Sequence, residues 1–256
     1  MYSAVEREDY FNRTIRKIES VELVEGIVQL GSGVTGYKDA YSDIDLMVCT
    51  SKEVDAHATK DQIRQALTEY RPMYVKEKKF GVSIFLLIVL LENGLEFNIS
   101  IAPRDLLSVR SPLWKVVVDK SGDVLKKMNE ENVKFESDPV KYDVYSDITF
   151  EFFYCIIGLE KELKRNNFIF ALKLLDTMRD YILHVEAMNE DKKCHQFKAY
   201  ETLDSVFIER YLCTFPKALT KDSIADSALQ LKELFMECME FSAVYHLDDS
   251  LRRLLL

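Results

Sequence analysis

The residues best suited to chemistry lie between positions 29 and 50, where two apolar runs flank a glycine-rich turn and a pair of aspartates. Asp43 and Asp45 are two residues apart in a predicted strand, so both side chains project from one face, about 6.6 Å from each other. Two such carboxylates can hold a pair of divalent cations about 4 Å apart, which clamp the attacking and leaving oxygens of a phosphoryl or nucleotidyl transfer. This spacing predicts metal-dependent transfer chemistry.

The glycine-rich turn precedes the aspartates and is suited to a phosphate. Gly31 and Gly33 lack a Cβ that would keep the backbone away from an anion, and Ser32 offers both a hydroxyl and an N–H. A short helix starting near Val34 would direct further N–H groups to the same anion. A Gly-Ser-Gly turn or an Asp-x-Asp pair is common by itself, but the two in this order between apolar strands are far more specific.

These residues resemble a known signature. Gly31-Ser32, Gly36 and the run 42–46, Ser-Asp-Ile-Asp-Leu, are similar to the motif of the nucleotidyltransferase superfamily, which has the polymerase-beta-like fold. The resemblance covers roughly residues 1–110, and the rest of the chain more loosely resembles the helical domain of the bacterial aminoglycoside 6-adenylyltransferases. It implies transfer of AMP from ATP, or of another nucleoside monophosphate, to a hydroxyl of a small acceptor such as an aminoglycoside, with release of pyrophosphate.

The resemblance also implies roles for the motif residues. Mg²⁺ would be held by Asp43 and Asp45, and the nucleoside triphosphate would be bound by Gly31, Ser32, Gly33 and Ser42. These expectations define a candidate site at one end of the predicted sheet.

A third acidic residue is expected on a neighbouring strand. Residues 95–102 alternate, with Glu96 and Asn98 on one face, and aligning Gly94 and Pro103 with the family pattern places Asn98 where that family has its third active-site carboxylate. Asparagine is neutral and can neither accept a proton from a hydroxyl nor offer a full charge to a metal. Three alternatives stay open: Glu96 replaces the missing acid as a catalytic residue, catalysis is weakened, or the site binds nucleotide without turnover.

Composition limits the classes of partner. The chain has 256 residues, with 43 acidic residues against 34 basic ones and a net charge of −9. This balance argues against binding to nucleic acid, which relies on clustered Lys and Arg, and suits a small cationic acceptor. The longest apolar run, residues 82–91, is too short to span a bilayer, and the acidic N-terminus does not resemble a signal peptide. We therefore expect a cytoplasmic protein without a membrane partner.

The five cysteines, at positions 49, 155, 194, 213 and 238, are widely spaced and include no Cys-x-x-Cys pair. Buried reduced thiols are the simplest interpretation. Cys194 and His195 could begin a metal site, but no second pair follows at zinc spacing.

Periodicity predicts an α+β chain. The N-terminal mixed-sheet nucleotidyltransferase domain would span residues 1–137, and a C-terminal antiparallel helical bundle that binds the acceptor would span residues 138–256. The predicted elements are helices over residues 4–21, 52–70 and 124–132, strands over residues 73–79, 82–91, 95–102 and 114–118, and bundle helices over residues 147–165, 168–188, 196–212 and 222–247.

In the predicted bundle, Asp176, Arg179 and Asp180 share one side of a helix, and Glu151 and Tyr154 lie on the preceding helix. Like charges four apart are unfavourable unless a cation is near. These residues form either a solvated surface or a binding site for a cationic acceptor.

Taken together, the residues predict a two-domain Mg²⁺-dependent nucleotidyltransferase. Two rivals remain: a relative that binds nucleotide without transferring it, which Asn98 favours, and an enzyme that modifies a protein. The sequence does not fix the acceptor, the preferred base or the oligomeric state, and resistance to an antibiotic does not follow from the resemblance.

Overall fold

The computed structural model describes residues 2–36, 41–138, 147–192 and 200–247. The chain forms two compact units, Met1–Lys141 and Tyr142–Leu256. The domain boundary that we expect after residue 137 stays a prediction, since residues 139–146 lie outside the described ranges.

The first unit is built on a mixed sheet. Its strands are β1 (Val24–Leu30), β2 (Ile44–Thr50), β3 (Tyr74–Phe80), β4 (Ile84–Leu90), β5 (Glu96–Pro103) and β6 (Trp114–Asp119). Their order in the sheet is β3-β4-β5-β2-β1-β6. The pairing of β2 with β5 is parallel, whereas the other four pairings are antiparallel. The prediction of a mixed sheet is therefore confirmed.

Helices cover both faces of this sheet. They are α1 (Ala4–Glu19), α2 (Asp55–Leu67) and α3 (Asp123–Ser137). Ile18 of α1 and Ile63 of α2 belong to one apolar core together with Leu46 of β2 and Ile99 of β5. On the opposite face, α3 contributes Val124 and Met128 to a smaller core. The smaller core covers only part of this face of the sheet.

Helix α1 exposes an apolar residue and buries a charged one near its N-terminus. Ser3 caps its N-terminus through a reciprocal capping box with Glu6. Val5 is 79% exposed, whereas Arg7 is buried. Arg7 falls four residues before Phe11 and seven before the buried Thr14, so it occupies the helix face that meets the sheet. The buried face of α1 therefore includes a charged residue.

A glycine with positive φ forms the turn of the β4–β5 hairpin. Gly94 has φ +87°, and its N–H donates to the Leu91 carbonyl at 3.0 Å. Phe97, Ile99 and Ile101 are fully buried on one face of β5, whereas Glu96, Asn98 and Ser100 are half-buried on the other. The predicted alternation is confirmed.

The second unit consists of packed helices. Its helices are α4 (Ile148–Lys164), α5 (Phe168–Asn189), α6 (Ser205–Cys213) and α7 (Lys221–Glu240). Helix α5 packs against both α4 and α7, and buried residues such as Phe152, Ile182 and Phe235 form a continuous core. The Phe152 and Phe235 rings stack with their centroids 3.8 Å apart. The fold is therefore α+β, as predicted.

Several predicted bounds were wrong. Helix α3 runs to Ser137 and not to residue 132, and α7 ends at Glu240 and not at residue 247. The helix expected over residues 196–212 is a short turn at Tyr200–Thr202 followed by α6, and its first residues lie outside the described ranges. Within the described residues, no helix has both the length and the apolar character that crossing a membrane requires.

Candidate active site

Asp45 is the best-defined of the predicted site residues. It is the second residue of β2, it is half-buried, and it alternates with the fully buried Ile44 and Leu46. Asp43 precedes the strand, so the prediction that both aspartates lie within β2 was wrong for Asp43. Asp43 is itself half-buried and lies two residues before Asp45.

The glycine-rich turn contacts Asp45 from the β1 side. Residues Gly31–Thr35 form a 3₁₀ turn directly after β1, so the helix that we expected near Val34 begins at Gly31. Gly31 has φ +70°, and a Cβ on it would lie 2.8 Å from Oδ2 of Asp45. Only glycine combines this backbone conformation with such a close approach. The absence of a side chain at Gly31 therefore leaves room for the Asp45 carboxylate.

The turn is closed by its own hydrogen bonds. The Gly31 N–H donates to the Leu113 carbonyl at 3.1 Å, and the Thr35 hydroxyl donates to the Ser32 carbonyl at 3.3 Å. The Gly36 N–H donates to the Gly33 carbonyl at 3.2 Å. Since the Gly31 amide is already bonded, the amides at the start of the turn that could meet an anion are those of Ser32 and Gly33.

Strand β5 brings Asn98 and Glu96 to Asp45 from the other side. In the parallel pairing of β2 with β5, Asp45 is the register partner of Asn98 and Ile44 is the partner of Phe97. Partners in adjacent strands point to the same face of a sheet, so Asp45 and Asn98 share a face. Glu96 lies two residues before Asn98 and projects from that face as well. The structure therefore brings three predicted site residues together.

The surroundings of Asp45 disfavour its charge. Burial raises the pKa of the Asp45 carboxyl above its ordinary value, hydrogen bonding from Asn98 lowers this pKa, and the Glu96 carboxylate raises it further. The net shift is upward. A carboxylate in this position would be stabilised by a cation, because a nearby positive charge favours the ionised form.

The segment before Asp43 is anchored by residues that the sequence did not reveal. The Tyr2 hydroxyl donates to the Ser42 carbonyl at 3.0 Å, and Nη1 of Arg7 approaches the same oxygen at 3.5 Å. Tyr2 and Arg7 are both buried. The helical spacing of Arg7 with Phe11 and Thr14 was the available signal, because it places Arg7 on the inner face of α1.

The predicted ligands have the chemistry that Mg²⁺ requires, but among the described residues they do not form a group of three acidic side chains. Asp43, Asp45, Glu96 and Asn98 offer only oxygen ligands, which is the chemistry that Mg²⁺ prefers. Among residues 2–36, 41–138, 147–192 and 200–247, no three His, Cys, Asp or Glu side chains are arranged to hold a metal ion. Mg²⁺ in nucleotide-binding proteins is commonly held by one or two carboxylates together with substrate phosphates and water. Asp43 and Asp45 would supply the two carboxylates of such an arrangement, and their role as metal ligands stays a prediction.

Arg179 in the second unit has a structural role. It is buried, it donates to the Thr214 carbonyl at 2.7 Å and to the Thr214 hydroxyl at 3.2 Å, and it pairs with the exposed Asp176 at 2.8 Å. Its guanidinium also lies 3.9 Å from the centroid of the Phe215 ring. The charge of Arg179 is therefore paired within the second unit, and the Arg179 side chain holds the turn after α6 in place.

Other predicted candidates lie on surfaces or outside the described residues. Tyr154 is 61% exposed and its ring stacks on that of Phe150, with the exposed Glu151 between them in sequence. His57 is on the surface of α2, near Asp61. Cys49, Cys155 and Cys238 are buried, as expected, but Cys213 is exposed. Cys194 and His195 lie outside the described residues.

Comparisons with solved structures give low similarity over most of the chain. An aminoglycoside 6-adenyltransferase from Bacillus subtilis is 14% identical, with 99% of this chain and 96% of that chain covered and a TM-score of 0.42. A nucleotidyltransferase-like protein from Exiguobacterium sibiricum is 10% identical, with 92% and 74% covered and a TM-score of 0.41. A search among curated proteins finds no match to this chain.

The model of one protein family matches nearly the whole chain. This model describes streptomycin adenylyltransferase, and it matches residues 6–246. The matched range includes the turn at Gly31, both aspartates, strand β5 and all the described helices of the second unit. The chain therefore belongs to the streptomycin adenylyltransferase family.

Proposed function

We propose that this protein transfers a nucleoside monophosphate, AMP from ATP, to a hydroxyl of a small acceptor and releases pyrophosphate. The observation that carries the proposal is the position of Asp45, between Gly31 at the end of β1 and Asn98 on β5, with Glu96 nearby. A half-buried carboxylate with a second acid beside it and a glycine turn against it is suited to a charged ligand that brings its own cation.

In this proposal the turn binds the triphosphate. The amides of Ser32 and Gly33 and the Ser32 hydroxyl are the donors for phosphate oxygens, while Gly31 provides the close approach of the backbone. Ser42 is the fourth nucleotide-binding residue of the proposal, and its carbonyl is held by Tyr2. Holding Ser42 in place also fixes the start of the segment that carries Asp43.

The acidic residues orient the reacting groups. Asp43 and Asp45 would hold Mg²⁺, which, when bound, neutralises charge on the phosphates. The acceptor hydroxyl oxygen forms a bond to the α-phosphorus, the bond to the bridging oxygen of the β-phosphate breaks, and pyrophosphate leaves. Glu96 receives the hydroxyl proton, since Asn98 cannot. The contribution of the protein is mainly positioning and charge stabilisation.

The proposed acceptor is a small hydroxylated cation of the aminoglycoside class. The family match supports an acceptor of this kind, and the net charge of −9 favours a positively charged one. Nothing in the acidic composition favours a polyanionic acceptor such as nucleic acid.

A second candidate function is nucleotide binding without transfer. Asn98 favours it, because the register partner of Asp45 on β5 is neutral at every working pH. This candidate keeps the proposed roles of Gly31, Ser32 and Asp45 and removes only the proton transfer to Glu96.

The experiment is a pyrophosphate-release assay with ATP and Mg²⁺ across a panel of hydroxylated acceptors with and without amino groups. The proposal predicts release that depends on both Mg²⁺ and a cationic acceptor, with a matching increase in the mass of that acceptor by one adenylyl group. Calorimetry with magnesium and a non-hydrolysable ATP analogue runs beside it. Binding without release from any acceptor would favour the second candidate, whereas the absence of binding would contradict both.

A further inference from the structure

Asp45 and Asn98 meet because two strands that are distant in sequence lie side by side. They are register partners in the parallel pairing of β2 with β5. Neighbouring strands are about 4.8 Å apart, so two short side chains on the same face can contact each other. The next partners on this face, Met47 and Ser100, continue the row towards the end of the sheet that α3 covers.

The Asp45 carboxylate is limited on two opposite sides. On the β1 side, its Oδ2 atom is so close to Gly31 that a Cβ there would be only 2.8 Å away. On the β5 side, the Asn98 amide interacts with the carboxylate by hydrogen bonding. Neighbours on both sides reduce the number of rotamers open to an aspartate, which favours one orientation of its carboxylate.

The chemistry of asparagine suits this position. Its NH₂ group donates to a carboxylate without adding a charge. A carboxylate at position 98 would instead place a third negative charge beside Asp45 and Glu96, and like charges directly opposite one another in a sheet are destabilising. Asparagine therefore orients Asp45 and avoids this repulsion when no cation is bound.

We propose that Asn98 is a positioning residue: its amide donates to the Asp45 carboxylate and orients it towards a divalent cation that arrives with the nucleotide. This inference rests on the proposed function and assigns Asn98 a role in it other than that of a missing third acid. Removal of groups that orient a metal ligand typically weakens metal binding by about 10- to 100-fold.

The test measures the affinity for Mn²⁺ in the presence of a non-hydrolysable ATP analogue, by electron paramagnetic resonance of the free ion. It uses the full chain with Asn98→Leu, which keeps the approximate size and removes the donor, and Asn98→Ser, which is smaller and keeps a hydroxyl donor. Ser100→Ala, on the same face of β5, is the matched control. Thermal unfolding of each variant shows whether it folds.

We expect Asn98→Leu to weaken Mn²⁺ binding by at least about tenfold, Asn98→Ser to weaken it less, and Ser100→Ala to leave it unchanged. A role in packing alone gives the reverse order, because leucine fills the site better than serine. If the leucine variant does not fold, Asn98→Ala and Asn98→Ser form a second pair that differs by one hydroxyl, and the inference predicts tighter binding for serine.

Two results would overturn the inference, and they are distinguishable. If the wild-type chain binds Mn²⁺ with the nucleotide and the leucine variant binds it equally well, Asn98 does not position Asp45 and the proposed function survives. If the wild-type chain binds neither, the proposed function fails and this inference fails with it.

Discussion

Two acidic side chains at opposite ends of the same sheet differ in whether a positively charged side chain pairs with them. Glu25, near the start of β1, is buried and pairs with Arg104 at 2.6 Å. The Ser121 hydroxyl also donates to Glu25, at 2.8 Å. Asp45, opposite the last residue of β1, has the neutral Asn98 as its partner and the acidic Glu96 near it. Among the described residues, no ion pair involving Asp45 is found.

This difference in pairing indicates different roles for Glu25 and Asp45. A buried charge that is paired within the fold stabilises the native state, and removing it leaves its partner without a counter-charge. A half-buried acid placed beside a like charge lowers stability until a cation arrives. Glu25 therefore belongs to the scaffold, whereas we propose that Asp45 is placed to bind a cation that arrives with a ligand. The predictions below test this contrast.

Asp45→Asn should have the largest effect on activity. It removes the charge without changing the shape, and the loss of a group that stabilises transition-state charge lowers kcat by about 10²- to 10³-fold. Thermal unfolding without metal at pH 7 should show equal or higher stability, because burial and Glu96 both raise the pKa of Asp45 and disfavour its ionised form in the folded chain. Unchanged turnover in the pyrophosphate-release assay would remove Asp45 from the site.

The upward shift of the Asp45 pKa makes the stability of the chain depend on pH. Because the folded state raises the pKa of Asp45, the folded chain binds more protons than the unfolded chain. Stability is therefore lost as pH rises from the unfolded pKa through the folded one. The stabilisation by Asp45→Asn should be largest at neutral pH and should disappear in acid.

Gly31→Ala should have the next largest effect, and the chain offers a matched control. Gly31 and Gly81 have φ +70° and +71°, but a Cβ at Gly81 would meet nothing within 4 Å. Alanine at either position should cost about 1–2 kcal/mol of stability through backbone strain. Only Gly31→Ala should also displace the Asp45 carboxylate and lower kcat/KM. An equal kcat/KM for the two variants would contradict the contact between Gly31 and Asp45.

Glu25→Gln should lower stability and leave activity unchanged. It leaves Arg104 with the exposed Asp123, at 2.7 Å, as its remaining ion-pair partner among the described residues. The loss of a partly buried charged hydrogen bond costs about 1–3 kcal/mol, which chemical denaturation would measure. Turnover reduced as strongly as in Asp45→Asn would show that the two ends of the sheet are not separate in function.

Asp119→Ala should have the smallest effect and confirm that this end of the sheet is structural. Burial acts to raise the pKa of Asp119, but the N–H groups of Leu125, Gly122, Ser121 and Val124 lower it more strongly, so the net shift is downward. Loss of this cap of α3 should cost about 1 kcal/mol at pH 7. A depressed pKa stabilises the fold above the unfolded value, so the difference in unfolding free energy should shrink as pH falls through the folded pKa.

Local patterns predicted much of the first unit. Alternation over residues 95–102 gave the faces of Glu96 and Asn98 correctly, and the Asn93-Gly94 pair is typical of the hairpin turn that the chain forms there. These features depend on near neighbours in sequence, which is why a single chain reveals them.

Other features depend on contacts between residues distant in sequence, which periodicity does not reveal. Periodicity alone did not indicate that β2 would lie beside β5, so Asn98 came to the site only through the family resemblance. Asp43 was placed inside a strand because alternation continues through it, although the strand begins at Ile44. Arg7 carries a charge, yet its packing on the inner face of α1 buries it.

The most direct test of the central claim is a crystal structure with Mn²⁺ and a non-hydrolysable ATP analogue, with Mn²⁺ located by its anomalous scattering. We expect Mn²⁺ bound directly to carboxylate oxygens of Asp43 and Asp45, with the triphosphate against Ser32 and Gly33. A nucleotide and its metal bound elsewhere, with Asp45 contacting neither, would contradict the account.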